Sequence, residues 1–180
     1  AGTLPNPLSL PFGETSQVRA GARDIFGFVF SVDGPFEFAV VAGGGAIDQS
    51  GTFVAGQTAA YFSDTIEVTW GGYVGYSDVE VLPGAPHEII ISPSQASVLT
   101  TQDTSFEAAV FDESGNQLPN VDIQWFVEAE TGASMDLLTG LLTAGCTTGT
   151  FVGAVTATYG SVSSVATLNI DPGGAVPEYV

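Results

Sequence analysis

Apolar residues alternate with polar ones along much of the chain. Phe106, Ala108 and Val110 form one such set, Val121, Ile123, Trp125 and Val127 the next, and Ala166, Leu168 and Ile170 a later one; Val79 and Val81 behave alike. A period of two puts every second side chain on one face of an extended segment, the signature of a half-buried β-strand. Helix is expected to be nearly absent. Gly43-Gly44-Gly45, Gly71-Gly72 and the stretch from Asp112 to Asn116 punctuate the alternating runs with turn-forming residues. Short alternating strands at such spacing predict antiparallel sheets closed into a sandwich or barrel.

The pattern occurs twice. The segment from Val18 to Gly27 aligns with Phe106 to Gly115 at a shift of 88, and Phe36-Glu37-Phe38 aligns with Ile123-Gln124-Trp125 at 87. Three further blocks align at 89: Gly51 to Gly56 with Gly140 to Gly145, Ile66 to Gly71 with Val155 to Gly160, and Val79 to Gly84 with Leu168 to Gly173. Five blocks in one order, with a drift of two residues, predict two copies of one all-β domain, 1–84 and 85–180. Between them, Pro83-Gly84-Ala85-Pro86-His87 reads as a short, stiff linker.

In the second copy Ile89-Ile90-Ile91 is followed by the Phe106 to Asn116 block, by Val121 to Trp125, by Asp136 to Gly145 and by Ala166 to Ile170. This succession resembles the bacterial immunoglobulin-like domains of invasin- and intimin-type surface proteins and of many phage structural proteins. The resemblance implies two tandem Greek-key β-sandwiches acting as spacer, stalk, adhesive or decorating modules, without enzymatic activity. There is no cysteine pair behind Trp125, and the chain has no lysine for an isopeptide cross-link.

Composition narrows the partners. Of 180 residues, 20 are Asp or Glu and two, Arg19 and Arg23, are basic, for a formal charge of −18. No basic stripe is available for nucleic acid, and an anionic membrane surface repels such a chain. No apolar run is long enough for a spanning helix, so membrane insertion is not expected. Lysine-dependent phosphate loops and Schiff bases are excluded. Only 12% of residues are charged and mean hydropathy is positive, which points to assembly, as a homo-oligomer or filament, with copies of itself or with other surface or virion proteins.

No catalytic constellation is evident. His87, the single histidine, sits in the linker with no Gly-x-Ser-x-Gly elbow elsewhere, and Cys146, with no histidine in its own domain to activate it, reads as a buried or half-buried structural thiol. No metal site and no cofactor are expected. Calcium is the ion left open by the oxygen-rich turns at Asp112 to Asn116 and at Asp33-Gly34, although neither matches a calcium-binding loop and both read equally as turn chemistry. The aromatics Trp70, Tyr73 and Tyr76 form a candidate ligand patch for stacking on a glycan; Trp70 aligns with Tyr159, which favours a scaffold role for it.

The termini suggest a means of assembly. A shift of 88 maps Ile89-Ile90-Ile91 onto Ala1-Gly2-Thr3, so the first copy is expected to lack an apolar opening strand, with Leu8 to Phe12 as a partial replacement. At the other end Val176, Glu178, Tyr179 and Val180 resemble the start of a strand with no domain behind it. An open sheet edge and a spare strand would join subunits head to tail by strand complementation. The expected function is therefore a non-catalytic structural subunit of an extracellular surface filament or adhesive stalk. The alternatives are a phage virion decoration or tail protein, and a glycan-binding module assisted by calcium; a leader encoded before Ala1 would favour the cell surface, and simple loss of Met the virion.

Overall fold

The computed structural model describes residues 2–4, 6–33 and 35–174, the first three by backbone alone. The chain divides into two compact units, Ala1–Gly84 and Ala85–Val180, and the described residues are strand and turn apart from one 3-10 turn, Ala129–Thr131. The first unit contains β1 (Gly2–Leu4), β2 (Leu8–Pro11), β3 (Thr15–Gln17), β4 (Arg19–Arg23), β5 (Val29–Phe30), β6 (Glu37–Val40), β7 (Gly45–Ile47), β8 (Thr52–Ala55), β9 (Ala60–Trp70) and β10 (Tyr73–Leu82). The second contains β11 (Glu88–Ser92), β12 (Gln95–Leu99), β13 (Asp103–Ser105), β14 (Glu107–Phe111), β15 (Gln124–Val127), β16 (Ser134–Met135), β17 (Leu141–Thr143), β18 (Gly149–Tyr159) and β19 (Val162–Asp171).

Each unit is an immunoglobulin-like Greek-key sandwich. One sheet has the order β2-β10-β9-β6, repeated as β12-β19-β18-β15. The other layer is β1-β4-β5 continued by β3-β8-β7, matched by β11-β14 and β13-β17-β16. What divides this second layer is a single residue. Val18 lies between β3 and β4, and Phe106 between β13 and β14; each is buried, and its backbone N–H donates to a glycine carbonyl, Gly51 O at 2.8 Å or Gly140 O at 2.9 Å. The two short strands on either side of it are thus halves of one long strand.

Alternation places the core. In the first unit Leu8, Phe53, Ile66, Val68, Val79 and Val81 meet from both layers; in the second, Phe106, Val110, Trp125, Leu142, Val155 and Leu168 do so. Full burial of a side chain of this size is worth about 1.5–3 kcal/mol, and with no disulfide in either unit this packing is the principal source of stability. The long hairpins β9–β10 and β18–β19 share a register shift. Asp64 (φ 50°) and Gly153 (φ 69°), one repeat apart, both carry left-handed backbone beside it.

One expectation is corrected. The first unit does not lack its opening strand: Gly2, Thr3 and Leu4 pair antiparallel with Gly21, Ala20 and Arg19, the positions equivalent to those at which β11 pairs with β14. Ladder hydrogen bonds come from the backbone, so a three-residue strand forms without apolar alternation. Leu8–Pro11 is not a replacement either. It runs parallel to Val79–Leu82 in the opposite sheet, as Gln95–Leu99 does with Thr167–Asp171. The open edge required for strand complementation is therefore occupied. Val176, Glu178, Tyr179 and Val180, the donor half of that scheme, lie outside the described residues.

Candidate interaction site

The site begins with one carboxylate. Where β4 ends, Asp24 Oδ1 accepts hydrogen bonds from the backbone N–H of Phe26 and of Phe28, both at 2.9 Å. Asp24 N donates to Phe28 O, Gly27 N donates to Asp24 O, and Gly27 turns the chain at φ 88°. The chain then returns as β5, paired with β4 through Ala22–Phe30 and Arg23–Val29. This is an Asp-capped turn closed by backbone and one side chain.

The second unit builds the same turn. Asp112 Oδ1 accepts from Ser114 N at 2.9 Å and Asn116 N at 2.8 Å, and Gly115 takes φ 80°. Only the tips differ. Ile25, Phe26, Phe28 and Val29 in the first unit stand where Glu113, Ser114, Asn116 and Gln117 stand in the second. The apolar tip is not core: Ile25 is 93% exposed, Phe26 78%, Phe28 72% and Val29 68%.

Aromatic residues from the neighbouring hairpin extend this surface. Trp70 and Tyr73 face each other across the β9–β10 turn and stack with ring centroids 6.2 Å apart. Phe30 meets Trp70 edge-on at 6.4 Å, and the indole N–H of Trp70 donates to Asp33 O at 2.9 Å. Between tip and hairpin lies a cleft of about 420 Å³, lined by Arg23, Ile25, Phe26, Phe30, Trp70 and Tyr73 among others. Its wall is mostly apolar, with the polar side chains of Arg23 and Asp24 beside it.

The structure brings together two of the three aromatics singled out in the sequence. Trp70 is half-buried, held by Tyr73 and Phe30, and Tyr73 is the exposed ring. Tyr76 is elsewhere: three residues on from Tyr73 in a strand, it projects from the opposite face and donates its hydroxyl to Glu67 Oε2 at 3.0 Å. That hydrogen bond, followed by the Glu67 charge, raises the Tyr76 phenol above its ordinary value. Tyr61 is raised in the same way, first by its hydrogen bond to Asp78.

The other candidates occupy structural positions. Asp112 is buried, and besides its turn bonds its Oδ2 accepts from Asn116 Nδ2 at 2.9 Å. The described residues contain no cluster of three or more His, Cys, Asp and Glu placed to hold a metal ion. Among them, no helix is long and apolar enough to cross a membrane. Cys146 is exposed, against the expectation of a buried thiol. His87 is exposed too, and its backbone N–H joins the second unit by donating to Phe111 O at 2.8 Å.

A smaller apolar surface lies on the second unit. Asp136 Oδ1 accepts from Leu138 N at 3.0 Å and Thr139 N at 2.9 Å, as Asp48 Oδ1 accepts from Ser50 N at 2.8 Å and Thr52 N at 2.9 Å in the first. These bonds hold both carboxyls below their ordinary value, with a Ser50 side-chain bond the largest cause for Asp48 and the Leu138 N–H for Asp136. Leu137 and Leu138 are exposed beside Phe126, with Met135 and Asp136. The corresponding residues of the first unit are Gln49, Ser50 and Ala39.

No family model matches the chain and no curated protein sequence matches it. Among solved structures it is similar to FdeC, a broadly conserved Escherichia coli adhesin, with a TM-score of 0.55 and 15% identity over 96% of this chain and 63% of that one. It is also similar to domains 1–6 of the surface layer protein SbsC, with a TM-score of 0.43 and 16% identity over 91% of this chain and 24% of that one. The chain thus spans about a quarter of that SbsC chain and under two thirds of the FdeC chain. At 15% identity the likeness to the adhesin is one of fold: two immunoglobulin-like sandwiches in tandem.

Proposed function

We propose that the chain is a non-catalytic structural subunit of an extracellular surface assembly, a filament or adhesive stalk, and that it works by presenting contact surfaces on rigid sandwiches. The observation that carries this reading is the contrast between two turns of the same backbone. The second unit shows that an Asp-capped turn here closes with Glu, Ser, Asn and Gln at its tip. The isoleucine, phenylalanines and valine of the first unit are therefore not needed to form it, and exposed apolar side chains of this number mark an interaction surface. The −18 charge accords with such a role, since electrostatic complementarity between like subunits is scarce and apolar packing must supply the contact. The fold shared with an adhesin supports the reading as an analogy.

Antibody raised against the chain should label the surface of intact cells of the source organism, and electron micrographs of the labelled material should show an ordered assembly. Labelling confined to the cell interior would overturn the proposal.

A further inference from the structure

The two apolar surfaces stand in a reciprocal relation. Where the first unit carries Ile25, Phe26 and Phe28, the second carries Glu113, Ser114 and Asn116; where the second carries Phe126, Leu137 and Leu138, the first carries Ala39, Gln49 and Ser50. Each unit thus lacks large apolar side chains at the place where the other carries them, on the same backbone framework. Charge differs in the same sense. Arg23 lines the first surface together with Asp24, whose Oδ1 is engaged by the turn N–H groups, and Arg19 lies on the same face of β4 as Arg23; these are the only two arginines of a chain without lysine. The second surface is bordered by Asp136 and Asp122, in a unit with no basic residue but His87.

We propose that the surface around Phe26, Phe28 and Tyr73 in one copy binds the surface around Phe126, Leu137 and Leu138 in a second copy of this chain, with Arg23 set against the carboxylates at its edge. The inference rests on the surface-assembly reading and names its partner. Because the two faces differ and lie on different units, the contact is heterologous. Each copy keeps one free face of each kind, so the contact can repeat from subunit to subunit, as heterologous contacts do in rings and filaments.

The areas agree with a stable contact. The exposed fractions of Ile25, Phe26, Phe28, Phe30 and Tyr73 leave roughly 500–900 Å² of largely apolar surface, taking about 150–250 Å² for a large side chain. Phe126, Leu137 and Leu138 add a few hundred Å² by the same reckoning. The total, on the order of 1,000 Å², matches the apolar share of a standard interface of about 1,600 Å². The first surface alone lies at or above the upper end of the roughly 300–600 Å² of the largest patch on a typical monomer.

The test uses the full chain and two exchange variants. In the first variant the tip takes the residues of the other unit (Ile25→Glu, Phe26→Ser, Phe28→Asn, Val29→Gln); in the second the other face does so (Phe126→Ala, Leu137→Gln, Leu138→Ser). Light scattering coupled to size exclusion should show the wild type growing past a dimer with concentration, while each variant alone stays at 18.4 kDa. An equimolar mixture of the variants, each retaining one intact face, should stop at twice that mass. Circular dichroism spectra matching the wild type show that both variants fold, and Arg23→Glu, a single exposed change, should weaken association independently. A wild type that remains monomeric at every concentration overturns the contact. So does a second variant that still dimerises by itself, which would mean that the first face pairs with itself, and so does assembly that survives the tip exchange. Surface labelling of cells without self-association refutes this contact and leaves the functional reading standing; self-association without surface labelling does the reverse.

Discussion

At the scale of single residues, the duplicated scaffold serves as its own control. Thr65 is fully buried, and its hydroxyl has no hydrogen-bond partner among the described residues; one repeat later the position is Ala154, also buried. A desolvated, unpaired hydroxyl costs about 1–3 kcal/mol, so Thr65→Val, which keeps the shape, should raise unfolding stability by about 1 kcal/mol in a denaturant titration. A drop in stability would mean that the hydroxyl is satisfied. The titrating groups set the pH range of the fold. Asp48, Asp78 and Asp136 lie below 3.8 in the folded chain, each through hydrogen bonds, that of Asp78 chiefly from Tyr61. Their stabilisation is complete above the unfolded value and is lost as pH falls through the folded ones. Tyr61 and Tyr76 lie above 10.0, and theirs is complete below that value and lost as pH rises past it. Melting temperature should therefore fall as pH rises past the ordinary tyrosine value, and Tyr61→Phe together with Tyr76→Phe should remove part of that fall; on the acid side the loss from these three carboxyls is opposed by the relief of repulsion as the other carboxylates protonate.

At the scale of elements, the glycine facing the interrupted strand is the sensitive point. Gly140 has φ +71°, and a Cβ there would lie 2.2 Å from Phe106 O. Gly160 has a similar φ of +59° with nothing within 4 Å. Left-handed backbone costs an alanine about 1–2 kcal/mol, so Gly160→Ala should lose about that much. Gly140→Ala must in addition displace the carbonyl that accompanies the strand break, and should lose clearly more by thermal melting; equal losses would show that the strand yields there without penalty. This scale also shows what the sequence conveys. Alternation and the repeat revealed the sandwiches because burial on one face leaves a period of two. The opening strand β1 escaped because Gly2, Thr3 and Leu4 carry no such period and are held by backbone pairing. Tyr76 was grouped with Tyr73, although three residues apart in a strand means opposite faces. The apolar tip is visible in the alignment of Asp24 to Gly27 with Asp112 to Gly115, but a run of consecutive apolar residues reads as core until its exposure is known.

At the scale of the molecule, net charge opposes both folding and association. Eleven of the 20 carboxylates and neither arginine belong to 85–180, so the second unit has the greater self-repulsion. Added sodium chloride screens it, with a Debye length shrinking from about 30 Å at 0.01 M to about 3 Å at 1 M. The melting temperature should rise with salt, and more for 85–180 expressed alone than for 1–84 alone. A flat response in both would show that the carboxylates are too far apart to repel measurably.

The Asp-capped turn has a consequence for how such a chain changes over evolutionary time. Its closure in the first unit needs one carboxylate, one glycine and a few backbone groups, and in the second only Asn116 adds a side-chain bond to it, so most residues at the tip are weakly constrained by folding. Substitution there alters what the surface meets without first eroding the scaffold that bears it. Duplication then gives two such sockets on one chain, each free to drift without retuning the other, and new pairing specificities can arise by exchanging a few letters at a loop.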